Sequence, residues 1–302
     1  MGGILAYGIM QMAGTEGLNG WRWIFILEGT LTCVIGIVGY WALVDFPDSP
    51  RKNFKFVTDK ERAWVCARVN EDRGDVTMLP FNLKSYLKPA LDLKVWGFAL
   101  IFGGSTTVTY ALAFFMPVIL NLNMGFDLGL SQILVAPPYL FAGLVMYLCA
   151  WVGDKYKLRG PIVAFNAILC IIGLPIMGLA KSPGVRYFGV FLATAGSNGN
   201  VPASMSYQAN NIRGQWKRAL CSATIVSFGG IGGIAGSLIF RAQDAPGYLF
   251  GLYFCLGVSC LVLVLVGVLS IYFYFQNAKA DRGEKELEFD DPDATPGFRY
   301  TY

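Results

Sequence analysis

The sequence predicts an all-α membrane protein that crosses the bilayer several times. Three observations predict it. Apolar residues make up 55% of the 302, and the mean hydropathy is +0.49. Charged residues are only 15%, against about a quarter in soluble domains. The charges also cluster in short segments between long apolar runs, whereas a soluble fold would spread them over every exposed helix face.

In chain order, residues 1–13 are apolar but too short for a bilayer, which needs about 20 residues of helix. They lack the basic start of a signal peptide. Runs at 24–45, 95–120, 132–152, 161–180, 186–206, 219–240 and 248–275 are long enough to cross. Backbone groups in hydrocarbon must be satisfied internally, so each run is expected to be a helix. Uncharged runs of this length do not fit the alternating strands of a barrel.

The longest connection is 46–94. Pro47 and Pro50 end the preceding helix. Thr58-Asp-Lys-Glu61 reads as a capping box. It opens an amphipathic helix to about Asp72, with Ala63, Val65, Cys66 and Val69 as its apolar stripe and Trp64 at the headgroups. The tail 276–302 carries Asp281, Glu284, Glu286, Glu288, Asp290, Asp291 and Asp293 with two prolines, and is expected to be disordered.

Basic residues orient the spans. Segment 46–94 holds ten Lys or Arg, loop 153–160 three, loop 207–218 three and the tail four. The opposite loops hold only Arg22, Lys181, Arg186 and Arg241. The basic set is expected to be cytoplasmic, and with it the C-terminus. An outside N-terminus without a signal peptide fits if residues 1–13 end a helix that entered from the cytoplasm. The chain therefore reads as a fragment or a truncated gene product. One span, a long linker and six close-set spans suggest one half of a two-half transporter, preceded by the last helix of the other half.

Several classes are set aside. The basic residues flank apolar runs and form no stripe, so nucleic acid is not an expected partner. Six of the seven cysteines lie in apolar runs, with no C-x-x-C, and read as small buried hydrophobes. There is no histidine. No nucleophile motif or His/Cys/Asp/Glu cluster suggests an enzyme, a metal or a cofactor. A seven-helix receptor has the right span count, but the long 46–94 segment and the Asp154–Arg159 loop argue against it.

Motifs narrow the reading. Gly153-Asp-Lys-Tyr-Lys-Leu-Arg159-Gly160 places Asp154 at one helix end with Lys155 and Arg159 nearby, either a latch or a charged turn that fixes topology. It resembles the cytoplasmic-loop signature of the major facilitator superfamily. Gly20-Trp-Arg-Trp-Ile-Phe-Ile-Leu-Glu28-Gly29, Asp45-Phe-Pro-Asp-Ser-Pro50, Thr58-Asp-Lys-Glu-Arg62, Pro183-Gly-Val-Arg-Tyr187, Asn210-Asn-Ile-Arg-Gly-Gln-Trp-Lys-Arg218, Phe228-Gly-Gly-Ile-Gly-Gly233 and Asp244-Ala-Pro-Gly-Tyr248 follow in order. The series is similar to the fungal allantoate permease family, the anion:cation symporters of that superfamily. The resemblance implies a major facilitator fold in part: the end of helix five, helix six and the six-helix C-terminal half. It implies a remnant of the N-terminal half at 1–45, a linker at 46–94, the C-terminal half at 95–275 and the tail from 276. It further implies proton-coupled uptake of a small organic anion at the plasma membrane, with the missing N-terminal helices as partners. The alternative is a non-transporting fragment.

On that resemblance, 95–120 and 186–206 line the substrate cavity. They carry Thr106, Thr107 and Tyr110, and Asn198 and Asn200. An uncompensated amide in hydrocarbon costs several kcal/mol, so these side chains face protein or water. Single Ser and Thr residues are routine glue between membrane helices, whereas Asn198, Asn200 and Tyr110 fit glue or cavity equally. Glu28 is the one ionisable residue well inside a span, a proton-relay candidate or half of an ion pair with Arg22 or a missing helix. Gly229, Gly232, Gly233 and Gly236 make overlapping small-xxx-small pairs for close helix packing.

Overall fold

A computed structural model describes residues 2–44, 58–73, 82–122, 124–245, 247–284, 286–287 and 297–302. The Pro47 and Pro50 stop, the side chain of Val69 and the acidic run 288–293 lie outside the described residues or side chains. The described residues are helical with short connections and no strands. They fall into two units, 1–78 and 79–302.

In the first unit, α1 (Gly2–Met10) packs on α2 (Gly20–Ala42). Gly14 and Gly17, both at positive φ, turn the chain between them. Gly20 lies where a Cβ would sit 3.0 Å from the Met10 carbonyl oxygen. Next, α3 (Asp59–Arg73) begins at the expected capping box. The Thr58 amide donates to Glu61 Oε2 at 2.8 Å and the Glu61 amide to Thr58 Oγ1 at 3.4 Å. Those bonds from Thr58 hold the Glu61 carboxyl below its ordinary pKa. Val65 and Cys66 are half-buried, while Ala63 and Trp64 are exposed, with the Arg68 guanidinium 5.7 Å from the Trp64 ring.

The second unit holds α4 (Leu83–Leu87), α5 (Leu93–Leu122), α6 (Leu128–Ile133), α7 (Ala136–Tyr156), α8 (Gly160–Leu179), α9 (Pro183–Asn211), α10 (Gln215–Ile239) and α11 (Leu249–Asp281). The expected run 132–152 is split: Asp127 caps α6 through the Gly129 amide, and Pro137 and Pro138 then start α7. Among the described residues, six helices are long and apolar enough to cross a membrane; α9, which holds the expected run 186–206, is not among them. The reason is its position. It packs against α5, α7 and α8, so its Ser, Asn and Gln side chains meet protein and need not be apolar. Helix α5 also packs on α10 and α11, and α8 on α11.

Two apolar layers form. One holds Phe98, Tyr207, Cys221, Phe273 and Tyr300; the other holds Leu112, Met116, Leu174, Phe240 and Cys255. Between them on α5 and α9 lies a polar belt: Ser105, Thr106, Thr107, Thr194, Ser197 and Asn200, with Asn166 of α8 against Gly196 and Gly199. Close helix contact is made by glycine. A Cβ on Gly173, Gly189 or Gly196 would strike Ala193 N, Met177 N or Asn166 O across the α8–α9 interface. On α10, Gly232 and Gly236 likewise press on the Gly103 and Thr107 carbonyl oxygens of α5, and Gly229 and Gly233 on the Phe102 and Tyr110 rings.

The tail departs from expectation. Residues 276–281 continue α11, and residues 298–301 are docked by side-chain and backbone hydrogen bonds, with Tyr300 buried. The acidic composition of the segment hid the cluster Phe298, Tyr300 and Tyr302 at its end, which is too aromatic for a solvated chain.

At the end of the bundle where α5 begins, Asp92 caps α5 through the Lys94 amide at 3.0 Å. Its carboxylate also meets Lys217 of α10 at 2.8 Å and Lys94 Nζ at 3.4 Å. Burial pushes the Asp92 pKa up, but the two lysines outweigh it and hold the group below its ordinary 3.8. A depressed pKa stabilises the fold above the unfolded value and loses that contribution as pH falls through the folded one. Asp92→Asn is therefore expected to cost about 1–2 kcal/mol at pH 7 and almost nothing once the pH falls well below the ordinary carboxylate range. Melting of the purified chain in detergent across pH checks it.

Candidate functional site

A cleft of about 750 Å3 lies in the second unit, within the size range of small-molecule sites. Helix α5 contributes Phe102, Thr106, Thr109, Tyr110 and Phe114, whose three- and four-residue spacing is one helix face. Helix α9 contributes Asn198, Val201 and Pro202. The floor is α10, where Gly229, Gly230 and Gly233 carry no side chain, flanked by Val226, Ile234 and Ser237; Met146 of α7 closes one side. Tyr110, Phe114, Val226 and Ile234 are exposed, so this face of the unit is uncovered.

The polar groups of the cleft are mostly acceptors. Thr106 donates its hydroxyl hydrogen to the Gly103 carbonyl at 2.9 Å, Thr109 to Ser105 at 2.9 Å and Ser237 to Ile234 at 2.8 Å. Such back-bonding spends the donor within the helix and leaves oxygen lone pairs for a ligand. Asn198 spends one N–H on the Thr194 carbonyl at 2.9 Å. Pro202 has no N–H to give the Asn198 carbonyl four residues back, which adds another acceptor at this height. The donors left are the second N–H of Asn198 and the Tyr110 hydroxyl. Among the described residues lining the cleft there is no cation and no carboxylate.

Three of the five sequence-named cavity residues meet here: Thr106, Tyr110 and Asn198. The other two do not line it. Thr107 is buried towards α10, its Oγ1 in the path of a Cβ on Gly232, and it donates to the Gly103 carbonyl at 2.8 Å. Asn200 is buried in the bundle with Oδ1 unpaired among the described residues, as are Asn166 Nδ2 and Thr194 Oγ1.

The loop after α7 is held by Arg159 to Asp154 at 2.6 Å. Gly153 lets it close tightly: a Cβ there would lie 2.7 Å from Ile162 and 3.2 Å from the Leu158 carbonyl. Lys155 is not part of that pair; its ammonium sits 4.8 Å from the Trp151 ring and 5.5 Å from Tyr156. Glu28 is exposed on α2, and among the described residues no ion pair joins it to Arg22, whose guanidinium lies 5.3 Å from the Trp21 ring. Six positions along a helix put the two on different faces, where three or four would have paired them.

Residues 1–237 match the sequence profile of the Major Facilitator Superfamily. The chain belongs to that superfamily. It is 29% identical to the MFS-type transporter cnsO of Penicillium expansum over 93% of this chain and 56% of that protein. It is 28% identical to the high-affinity nicotinic acid transporter of Saccharomyces cerevisiae, over 100% of this chain and 57% of that protein. The major facilitator-type transporter hxnP of Emericella nidulans is 26% identical over 93% and 56%. The chain thus spans a little over half the length of these relatives.

For a superfamily member built of apolar helices, integral membrane placement follows. Sequence reasoning did not single out Phe102, Phe114 and Ser237 of the cleft. Stepping four residues either way from Thr106 and Tyr110 along one helix face reaches both phenylalanines, and that spacing was the available signal.

Proposed function

We propose that this chain is the C-terminal part of a proton-coupled transporter of small organic anions, of the allantoate permease type. Residues 1–45 are the end of one helix and one full span of the N-terminal half. Residues 46–94 link the halves, 95–275 form the C-terminal half, and the tail follows. The basic loops and the C-terminus face the cytoplasm, and the membrane is the plasma membrane. Asp154 and Arg159 latch the cytoplasmic side.

The observation that carries this reading is the uncovered cleft at the height of the polar belt, framed by α5, α9 and α10. A soluble-facing groove would have no reason to place Thr106, Tyr110 and Asn198 between two apolar layers. The name of the yeast relative, a nicotinic acid transporter, supports a carboxylate substrate. The cleft lining adds a division of labour. With acceptors, aromatic rings and no cation, this half holds the uncharged, donor-bearing body of the substrate, and the carboxylate is met from the N-terminal half.

The test is uptake of labelled nicotinate and other small carboxylates by yeast at acidic external pH. The chain is expressed as it stands and extended upstream by the four and a half helices that complete the fold. Acid-stimulated uptake is expected from the extended form. No uptake of any carboxylate by a correctly inserted extended form would overturn the reading.

A further inference from the structure

The docked C-terminal segment does more than fill space. Asn277, in the last turns of α11, brackets Tyr300: its Nδ2 donates to the Tyr300 carbonyl at 2.8 Å and its Oδ1 accepts the Tyr300 amide at 2.9 Å. Asn211, the last residue of α9, brackets the next residue in the same way. Its Nδ2 donates to the Thr301 carbonyl at 2.9 Å and its Oδ1 accepts the Thr301 amide at 2.8 Å. Two consecutive residues of the segment are thus held by side-chain amides from two different helices, α11 and α9.

The third helix is reached by a side chain. The Tyr300 ring stacks on Phe273 with centroids 4.6 Å apart, and Lys94 Nζ, at the start of α5, donates to its hydroxyl at 2.8 Å. Flanking contacts fix the approach: the Arg213 guanidinium lies 4.9 Å from the Phe298 ring, and Arg299 pairs with Asp281 at 2.7 Å. Asn211, Asn277, Tyr300 and Lys94 are all buried. Without the segment, both amides and the lysine would lose buried partners at once, a cost that random packing of a tail does not create.

We propose that residues 298–301 form a clasp that locks the ends of α5, α9 and α11 together, and that its release opens this end of the bundle. Helices α5 and α9 carry the polar side of the cleft, so the clasp sets how far apart two of its walls can move. The clasp itself rests on the contacts above; its role as a gate on the cleft rests on the transporter reading.

Two buried cysteines provide a local readout. Cys221 lies in the apolar layer that includes Tyr300, and Cys255 lies in the other layer. Alkylation of each in the full chain can be followed separately by peptide mass spectrometry. Tyr300→Ala is expected to speed modification of Cys221 at least tenfold and to leave Cys255 protected, with Asn277→Ala giving the same pattern. Tyr300→Phe, which keeps the stack and loses the Lys94 bond, should fall between. A chain ending at residue 296 should regain Cys221 protection when the hexapeptide of residues 297–302 is added, and not when the peptide carries alanine for Tyr300. An unchanged Cys221 rate, a parallel rise at Cys255, or no rescue by the peptide would each overturn the clasp. If Cys221 responds as expected while uptake by the extended form is unaffected, the clasp stands and its gating role fails.

Discussion

Gly196→Leu is expected to unfold the second unit or prevent its assembly. A Cβ at this position of α9 would strike the Asn166 carbonyl oxygen and stand 2.9 Å from both Cys170 N and Cys170 Sγ of α8. Two of these atoms are backbone, and no rotamer moves them. The helices must separate, which strips contacts along the whole Gly173, Gly189 and Gly196 seam. Overpacking costs about 1–3 kcal/mol even where side chains can yield, and the upper end or beyond is expected here. Gly143→Leu is the control, because a Cβ on that α7 glycine meets nothing within 4 Å. The pair is compared by melting in detergent and by yield of monodisperse protein. Equal stability would show that the α8–α9 contact is looser than described.

The second large effect is expected at the cleft. Tyr110 stacks on Phe114 at 6.1 Å, its ring rests on Gly233, and its hydroxyl is one of two free donors facing the cavity. In the extended chain, Tyr110→Ala is expected to raise the KM for uptake about tenfold, since each tenfold step corresponds to about 1.4 kcal/mol. Tyr110→Phe separates the hydroxyl from the ring. Thr107→Ala should leave KM close to its starting value, because Thr107 is buried and does not line the cleft. A large KM effect at Thr107 and none at Tyr110 would place the substrate elsewhere.

These two sites also show how far the sequence could be read. Six of the seven expected spans were legible because a bilayer demands about 20 apolar residues in a row; 186–206 is uncharged apart from Arg186 but more polar than such a helix. The polar candidates on α5 and α9 were legible because Thr, Asn and Tyr inside a span need a reason. Which of them face the cavity was not. Thr106 and Thr107 are neighbours in sequence but about 100° apart around the helix; both hydroxyls lie against Gly232 of α10, and only Thr106 also lines the cleft. The glycines divide likewise. Those of α10 announced themselves by spacing, whereas Gly173 has no glycine four residues away on α8 and acquires meaning only from Gly189 and Ala193 across the interface. The clasp was hidden for a related reason. Its two asparagines are 66 residues apart, and nothing local couples Asn211 to Asn277 or either to the end of the chain.

The polar, central character of α9 bears on how the protein is made. A helix that is too polar to partition into lipid by itself is poorly recognised when it leaves the ribosome alone. Its neighbour α8 is strongly apolar and meets it through the glycine seam, three residues of connection away. The two are suited to enter the membrane together as a hairpin, with the seam already closed and the amides of α9 already shielded. Biogenesis, as well as the folded state, then depends on those glycines, and a side chain added there would act while the protein is still being synthesised.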